Sequence, residues 1–262
     1  VPAIREEIRK MEDVESMHEF DIPFVRKYLI DRNIVPMTLY EAEGDYLNQK
    51  SRAPVFSAVK IEPAAGETYQ SPKILAFDIE TYSTEDRIDF EKNPILMLAL
   101  YGENFRKVYV WKKFSVGLDS AEFIEFVENE AELLEKFKNA VLQFSPDLLV
   151  GYYSDSFDLQ YIRTRAEINK VSLDIGLDYS EIKLGKGSNE SCSITGISHI
   201  DIYKFIRRIV LGFDSYSLSN VSSKLLGQQK HDVDLDELPR AWDSNTGLLK
   251  FADYNLNDAM LT

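Results

Sequence analysis

The chain has 262 residues, 44% of them hydrophobic and 28% charged, a balance typical of a globular protein with a substantial core. No run of about 18 uncharged apolar residues occurs and the N-terminus is charged, so we expect neither a membrane span nor a cleaved leader. The single cysteine, Cys192, excludes an internal disulfide and favours a reducing, cytoplasmic setting. Because the first residue is Val1, we expect the chain to begin inside a longer protein.

The formal net charge of the chain is −14. Such a charge argues against a protein that grips duplex DNA by charge alone. It is compatible with a nuclease whose clustered carboxylates collect divalent cations, because those cations then supply the positive charge that faces a phosphate.

In chain order, the first predicted element is a short helix over 21–30, with Pro23 in its first turn. Residues 41–72 are polar and punctuated by proline and glycine, which favours a connection with one strand at 55–61. The segments after this connection are strongly apolar. The change in composition predicts a domain boundary near residue 70.

Beyond that boundary, apolar runs predict strands, over 73–80, 95–101, 107–113 and 147–153. Apolar residues at helical spacing predict four helices. The first begins at a capping box formed by Asn129 and Glu132 and ends at Pro146. The others span 157–170, 216–226 and 248 to the end. Residues 185–196 are predicted to be a loop or hairpin tip, and 199–210 begins as a strand and turns into a helix. Strands that come first and then alternate with helices favour a mixed α/β (α+β) fold, with helices on the faces of a central mixed sheet.

The clearest candidates for chemistry are Asp78 and Glu80, at the end of the first strongly apolar strand. Because side chains alternate along a strand, these two acids point the same way and Phe77 and Ile79 point the other way. Crowding two carboxylates is unfavourable unless a cation lies between them, and Mg²⁺ or Mn²⁺ suits such oxygen ligands. The alternative is a strand that runs out into solvent.

Two further segments carry candidate acids. Asp158 lies in the first turn of the helix over 157–170, where the helix dipole favours a carboxylate, so plain helix capping is the alternative to a catalytic role. Tyr254 and Asp258 are four residues apart on the last predicted helix and therefore share a face. A hydrogen-bonded surface pair is the alternative for these two residues.

Taken together, these segments resemble the three exonuclease motifs of the DEDDy nuclease superfamily, and their surroundings resemble family-B DNA polymerases. LAFDIET (75–81) is similar to the first motif, LVGYYSDSFDLQYIRTRA (149–166) to the second and DYNLNDA (253–259) to the third. EFDIPFVRKYLID (19–31) resembles the end of the N-terminal domain of archaeal members, and YSLSNV (216–221) fits the segment before the third motif. The resemblance spans nearly the whole chain.

The resemblance implies that residues 1–70 end a polymerase N-terminal domain and that 71–262 form a ribonuclease H-like 3′→5′ proofreading exonuclease domain. Two divalent ions, Mg²⁺ or Mn²⁺, would be held by the four acids: the first by Asp78, Glu80 and Asp258, the second by Asp78 and, through water, Asp158. Tyr254 would orient the attacking water or the phosphate. The products would be deoxynucleoside monophosphates.

The resemblance also implies contacts to a frayed single-stranded DNA 3′ end. The candidates are Phe157, Tyr153, Thr81 and Arg163, with Arg165, Lys204, Arg207 and Arg208 as further candidate phosphate contacts; a solvated surface is the alternative for each. One residue departs from the family pattern, since Tyr153 stands where the second motif usually has Asn. This departure leaves open how the site would contact the DNA strand.

Other implications concern the parent protein. Val1, Pro2 and Phe24 fall where part of the uracil-sensing pocket of archaeal relatives would be. The remaining polymerase domains (palm, fingers and thumb) and, through the full-length protein, a sliding clamp would be partners, in a nucleoid-associated setting without membrane contact. No polymerase signature occurs in the chain, so we do not expect it to synthesise DNA.

Two rival functions remain open at this level. The same four acids could serve a stand-alone ribonuclease or oligonucleotide exonuclease, against which the segment 19–31 argues. Tyr153 in the second motif also leaves room for a non-catalytic DNA-binding module with a decayed site.

Overall fold

The computed structural model describes residues 2–18, 22–36, 38–65, 71–84, 88–185, 191–228 and 233–262. The chain divides into two compact units, one of Val1–Asn48 with Val55–Gln70 and the other of Gln49–Pro54 with Ser71–Thr262. No helix in these ranges is long and apolar enough to cross a membrane.

The first unit contains two short helices and a hairpin. Helix α1 is Pro2–Arg9 and α2 is Phe24–Asp31, so the helix predicted at 21–30 begins after Pro23. Strands β1 (Tyr40–Leu47) and β2 (Val55–Pro63) pair antiparallel. The sequence predicts β2 but not β1, because β1 is acidic and lacks apolar alternation, and only its pairing with β2 makes it a strand.

A bulge shapes this hairpin at Gly44. The register between β1 and β2 shifts between Glu43 and Gly44. A Cβ atom at position 44 would lie 2.0 Å from the carbonyl oxygen of Ser57. The close approach of the two backbones therefore requires glycine here.

The second unit is built on a mixed sheet, as predicted. Its strands are β3 (Ile74–Thr81), β4 (Ile95–Gly102), β5 (Phe105–Val110), β6 (Ile124–Phe126), β7 (Leu148–Gly151) and, after a small hairpin of β8 (Lys183–Leu184) with β9 (Cys192–Ser193), β10 (Ser198–Asp201). Among the described residues the six-stranded order is β10-β7-β3-β4-β5-β6. The pairs β3–β4 and β4–β5 are antiparallel, and the other neighbours are parallel.

Helices cover both faces of this sheet. The helices of this unit among the described residues are α3 (Leu118–Ala121), α4 (Glu130–Phe144), α5 (Asp158–Asn169), α6 (Ile202–Ile209), α7 (Leu218–Leu226), α8 (Leu238–Ser244) and α9 (Leu248–Leu261). The predicted cap of α4 is confirmed, since Asn129 Oδ1 accepts a hydrogen bond from the N–H of Glu132 at 3.0 Å. The segment 199–210 is strand β10 followed by α6. The short elements β6, α3 and α8 have no periodic signal long enough to predict them.

The two faces of the sheet bury separate apolar cores. Phe77 and Ile79 of β3 pack in the core that also contains residues of α4 and α5. Met97 and Ala99 of β4 pack in the other core, with residues of α8 and α9. Alternation along β3 therefore turns its two acids toward the α9 side of the sheet.

Candidate active site

Strand β3 supplies two acids to one face of the sheet. Asp78 pairs across the sheet with Ala99, and Glu80 pairs with Met97. Both partners belong to the core on the α9 side, and directly opposed residues share a face. Glu80 is buried and Asp78 is partly exposed, so the alternative of a strand running into solvent does not apply.

Helix α5 supplies the third acid at its first residue. Asp158 is buried and follows the turn that leads from β7 into α5. Its carboxylate lies near the backbone N–H groups of its own residue and of Ile79, which stabilise its charged form. A place in the first turn of α5 does not exclude a place among the acids, because the same carboxylate also lies close to Asp78 and Asp258.

Helix α9 supplies the remaining predicted groups. Tyr254 and Asp258 are buried on the same face of α9, as their spacing predicts. Asn255, which is not among the predicted site residues, is buried between them and donates a hydrogen bond from Nδ2 to Oδ2 of Asp78 at 2.7 Å. A signal was available, since Asn255 is a polar residue three positions before Asp258 on a buried helical face.

The electrostatics show that the four acids are neighbours. Burial raises the pKa of Asp78 well above its usual value of 3.8, and repulsion from Asp158, Asp258 and Glu80 raises it further, while the hydrogen bond from Asn255 lowers it. Burial likewise raises the pKa of Asp158 to about 7, with repulsion from Asp201 and Asp258 adding to the effect. Buried carboxylates that repel one another form a site that favours positive charge.

A cavity of about 740 Å³ is lined by three of the four acids but not by Asp158, and its volume is within the range of small-molecule sites. Its lining includes Asp78, Glu80, Tyr254 and Asp258, together with Thr81 and Phe157 of the predicted DNA contacts. Phe157 is fixed from behind by edge-on packing against Phe90, with ring centroids 5.6 Å apart. The ring therefore presents a preorganised apolar wall to the cavity.

The donor set fits hard divalent cations. Carboxylate oxygens are the ligands that Mg²⁺ and Mn²⁺ prefer. Burial first and the neighbouring carboxylates second raise the pKa of Asp78, and a bound cation would favour its charged form. In the described part of the chain no three His, Cys, Asp or Glu side chains already form a ready-made metal cage. The four acids are thus near one another, but their side chains are not arranged in a metal-coordination geometry.

A second cavity, of about 680 Å³, meets the first at Asp78 and Asp258. Its other walls include four tyrosines together with one cation and one further acid: Tyr152, Tyr153, Tyr203, Tyr216, Arg207 and Asp214. The ring of Tyr203 packs edge-on against Tyr153 at 5.2 Å, and the guanidinium of Arg207 lies over the rings of Tyr203 and Tyr216. Aromatic rings beside a cation are the groups that bind single-stranded nucleic acid.

The backbone at Tyr153 is unusual. Its φ angle is +65°, in the left-handed region that Asn tolerates better than Tyr. Asp201 holds this conformation, since its Oδ1 accepts the N–H of Tyr153 at 3.0 Å and its Oδ2 accepts the N–H of Asp155 at 3.3 Å. The backbone that an Asn would favour is thus retained while the side chain differs.

Several predicted cationic contacts are engaged elsewhere. Arg165 is buried and forms an ion pair with Glu130, and Lys204 pairs with Asp155 at 2.9 Å. Arg163 forms an ion pair with Glu167 at 3.1 Å and lines a different, smaller cavity that contains none of the four acids. The fold therefore assigns Arg165 a structural role, because a long side chain that faces inward must find a buried partner.

The residues proposed for a uracil pocket belong to the first unit. Val1 and the side chain of Pro2 lie outside the described residues. Phe24 begins α2 and is 83% exposed. No described contact of Phe24 therefore supports a preformed pocket.

The chain is similar in sequence and in structure to known proteins. The family model for the exonuclease domain of DNA polymerase family B matches residues 15–221. The chain belongs to this family. DNA polymerases of Pyrococcus glycovorans and Thermococcus gorgonarius are 34% and 32% identical to it over 100% of the chain. The family B DNA polymerase structure from Pyrobaculum calidifontis matches 100% of this chain and 33% of that chain, with a TM-score of 0.80 at 20% identity.

The predicted family-B exonuclease domain and its ribonuclease H-like fold are confirmed by these matches. The chain spans 29% of the length of each of the two relatives. The family match ends at residue 221, so Tyr254 and Asp258 lie beyond it but within the whole-chain alignment with the relatives. Exonuclease domains of this family are metal-dependent, in agreement with the donor chemistry of the four acids.

Proposed function

We propose that this chain is the 3′→5′ proofreading exonuclease portion of a DNA polymerase and hydrolyses the terminal phosphodiester at a DNA 3′ end. The observation that carries the proposal is the convergence of β3, α5 and α9. These elements bring Asp78, Glu80, Asp158 and Asp258 together although they are far apart in the chain, and Tyr254 lines the same cavity.

The four carboxylates are the proposed ligands of two divalent cations, Mg²⁺ or Mn²⁺. Bound there, such ions lower the pKa of an attacking water and offset the charge of the phosphate and of the leaving 3′ oxygen. Asp78 is the proposed shared ligand, because its carboxylate feels the charge of each of the other three.

The chain's own groups would position the reactants. Tyr254 directs its hydroxyl at the attacking water or the phosphate, and Glu80 accepts a hydrogen bond from that water. Both side chains are buried, so they lose little freedom when the substrate binds, which favours a defined attack geometry.

Aromatic stacking is the proposed grip on the frayed strand. Phe157 and Thr81 line the same cavity as Asp78, Glu80 and Asp258, and Tyr153 lines the adjoining one. With a net charge of −14, the chain gains more from stacking and bound cations than from free Lys and Arg. Arg163 is not brought to these cavities and is the weakest of the proposed contacts.

The proposed partners follow from the length of the relatives. The palm, fingers and thumb of a polymerase would accompany a chain that spans 29% of those proteins, and a sliding clamp would bind through the full-length protein. The first unit is proposed to end the polymerase N-terminal domain. Uracil sensing by Val1, Pro2 and Phe24 stays a prediction, and binding of uracil-containing single strands no tighter than of uracil-free strands would count against it.

A labelled-strand assay tests the activity. Single-stranded DNA labelled at its 5′ end and incubated with the chain and Mn²⁺ should shorten stepwise from the 3′ end. Asp78→Ala should lower the rate by at least about 100-fold, because even changes behind the ligands of a metal commonly cost 10- to 100-fold. Asp119→Ala, an exposed carboxylate that lines none of the cavities described above, is the matched control and should cut like the wild type.

The rival functions give different results in the same assay. Faster cleavage of an RNA strand than of DNA would favour the ribonuclease reading. Binding of the strand with no cleavage in Mn²⁺ or Mg²⁺ would favour a non-catalytic module. Equal rates for Asp78→Ala and the wild type would contradict the proposed site.

A further inference from the structure

Asn255 makes a contact that the proposed chemistry does not use. Its side chain is fully buried on α9, at 0% exposure, and its Nδ2 donates to Oδ2 of Asp78 at 2.7 Å. An ionised carboxylate only accepts hydrogen bonds, so the charged form of Asp78, the form that would bind a cation, requires the NH₂ side of the amide to face it.

The other end of this amide is unsatisfied. Among the described residues, Oδ1 of Asn255 has no hydrogen-bond partner. Buried polar atoms almost always have one, and a buried acceptor without a partner destabilises the fold. Packing alone would be served better by an apolar residue of the same size, so the amide at this position calls for a reason other than stability.

We propose that Asn255 is a positioning residue for metal binding: it holds Oδ2 of Asp78 so that Oδ1 is directed to the cations. This inference rests on the proposed function. Hydrogen bonds behind a metal ligand orient the ligand and tune its affinity. A neutral amide suits the task, because it fixes the carboxylate without a positive charge that would compete with the cations.

The position of Asn255 on α9 extends this role. Asn255 and Asp258 are three residues apart and share a face of the helix. The hydrogen bond to Asp78 therefore ties β3 to the turn of α9 that carries a second proposed ligand. Through this one hydrogen bond, Asn255 would orient the carboxylate of Asp78 and also hold Asp258 close to it.

Substitution by leucine separates positioning from packing. Asn255→Leu keeps the volume, removes the donor and removes the unsatisfied oxygen. We expect the dissociation constant for Mn²⁺, measured by calorimetric titration of the whole chain, to rise by about 10- to 100-fold. The melting temperature without metal should stay the same or rise. Asn257→Ala, the same residue type on the same helix but partly exposed, should bind Mn²⁺ like the wild type.

Other outcomes would overturn the inference. An unchanged Mn²⁺ affinity with a lower melting temperature would make Asn255 a packing residue, and Asn255→Ala, which cannot clash, is measured beside the leucine variant for that reason. If the wild type binds no Mn²⁺, or if Asp78→Ala binds it equally well, the proposed function fails and the inference with it. If Asp78→Ala loses Mn²⁺ but both Asn255 variants retain it, only the inference fails.

Discussion

At the scale of single residues, Tyr153 is the most informative departure from the family pattern. A left-handed conformation costs a non-glycine residue about 1–2 kcal/mol, and Asn tolerates it better than most. Asp201 offsets part of that cost through its hydrogen bond to the N–H of Tyr153. In place of the usual Asn, Tyr153 provides an aromatic ring that is 47% exposed and lines the second cavity.

Replacing this ring tests its proposed role. Tyr153→Asn should weaken binding of a short single-stranded oligonucleotide by about 1–3 kcal/mol, the range for loss of one stacking aromatic. Tyr153→Phe keeps the ring and should bind like the wild type. Fluorescence anisotropy with Ca²⁺ in place of Mn²⁺ would measure both without cleavage. If Tyr153→Asn and the wild type bind the oligonucleotide with equal affinity, Tyr153 does not contribute to DNA binding.

The stability of the same variant has a separate expectation. Relief of the left-handed strain favours Asn, whereas loss of the edge-on contact with Tyr203 costs about 0.5–1.5 kcal/mol. Because these effects oppose each other, the free energy of unfolding should change by less than about 1 kcal/mol. Weaker DNA binding could then not be ascribed to unfolding.

At the scale of elements, a buried ion pair holds the helices that frame the site. Glu130, at the start of α4, accepts hydrogen bonds from Nε and Nη2 of Arg165 at 2.8 and 2.6 Å and from the N–H of Ile95 at 2.8 Å. Asn169 adds a bond at 2.9 Å. These contacts join α4, α5 and β4. They fix α5, whose first residue is Asp158.

Breaking this pair should be costly. Glu130→Ala leaves the Arg165 guanidinium buried without its partner, and such a change costs about 3–5 kcal/mol. Glu167→Ala removes the partly exposed ion pair with Arg163 on the same helix and should cost less than about 1 kcal/mol. Urea denaturation of both variants provides the comparison. Similar losses for the two would show that the Glu130 network contributes no more than a surface pair.

At the scale of the whole molecule, the acids link stability to pH. Burial raises the pKa of Asp158 from 3.8 to about 7, so the folded state binds a proton that the unfolded state releases. The stability from this group is fully present below about pH 4 and is lost as the pH rises through about 7.

Metal should therefore stabilise the chain more at high pH. Without metal, thermal unfolding should show a lower melting temperature at pH 8 than at pH 5.5, and Mn²⁺ should raise the melting temperature more at pH 8, where the carboxylates are free to bind it. The lowered pKa of His199, caused by burial, acts in the opposite sense. Asp158→Asn isolates the contribution of Asp158 and should reduce the difference between the two pH values. An equal shift by Mn²⁺ at both pH values would contradict this linkage.

Features that depend on near neighbours in the chain could be predicted from the amino-acid sequence. Alternation in LAFDIET placed Asp78 and Glu80 on one face, the spacing of Tyr254 and Asp258 placed them on one turn, and Asn129 marked the start of α4. These features follow from strand and helix geometry, which repeats over a few residues. Together with their order along the chain, they also identified the family.

Features that depend on contacts between distant residues could not be predicted in this way and became visible only in the folded chain. Strand β1 exists because β2 pairs with it, and Arg165 is a structural residue because the fold turns it toward Glu130. The contact between Asn255 and Asp78 joins residues 177 positions apart, and the aromatic cavity gathers side chains from the β7–α5 turn, α6 and the segment before α7. Local periodicity cannot predict these long-range contacts, because they form only when separate elements pack against one sheet.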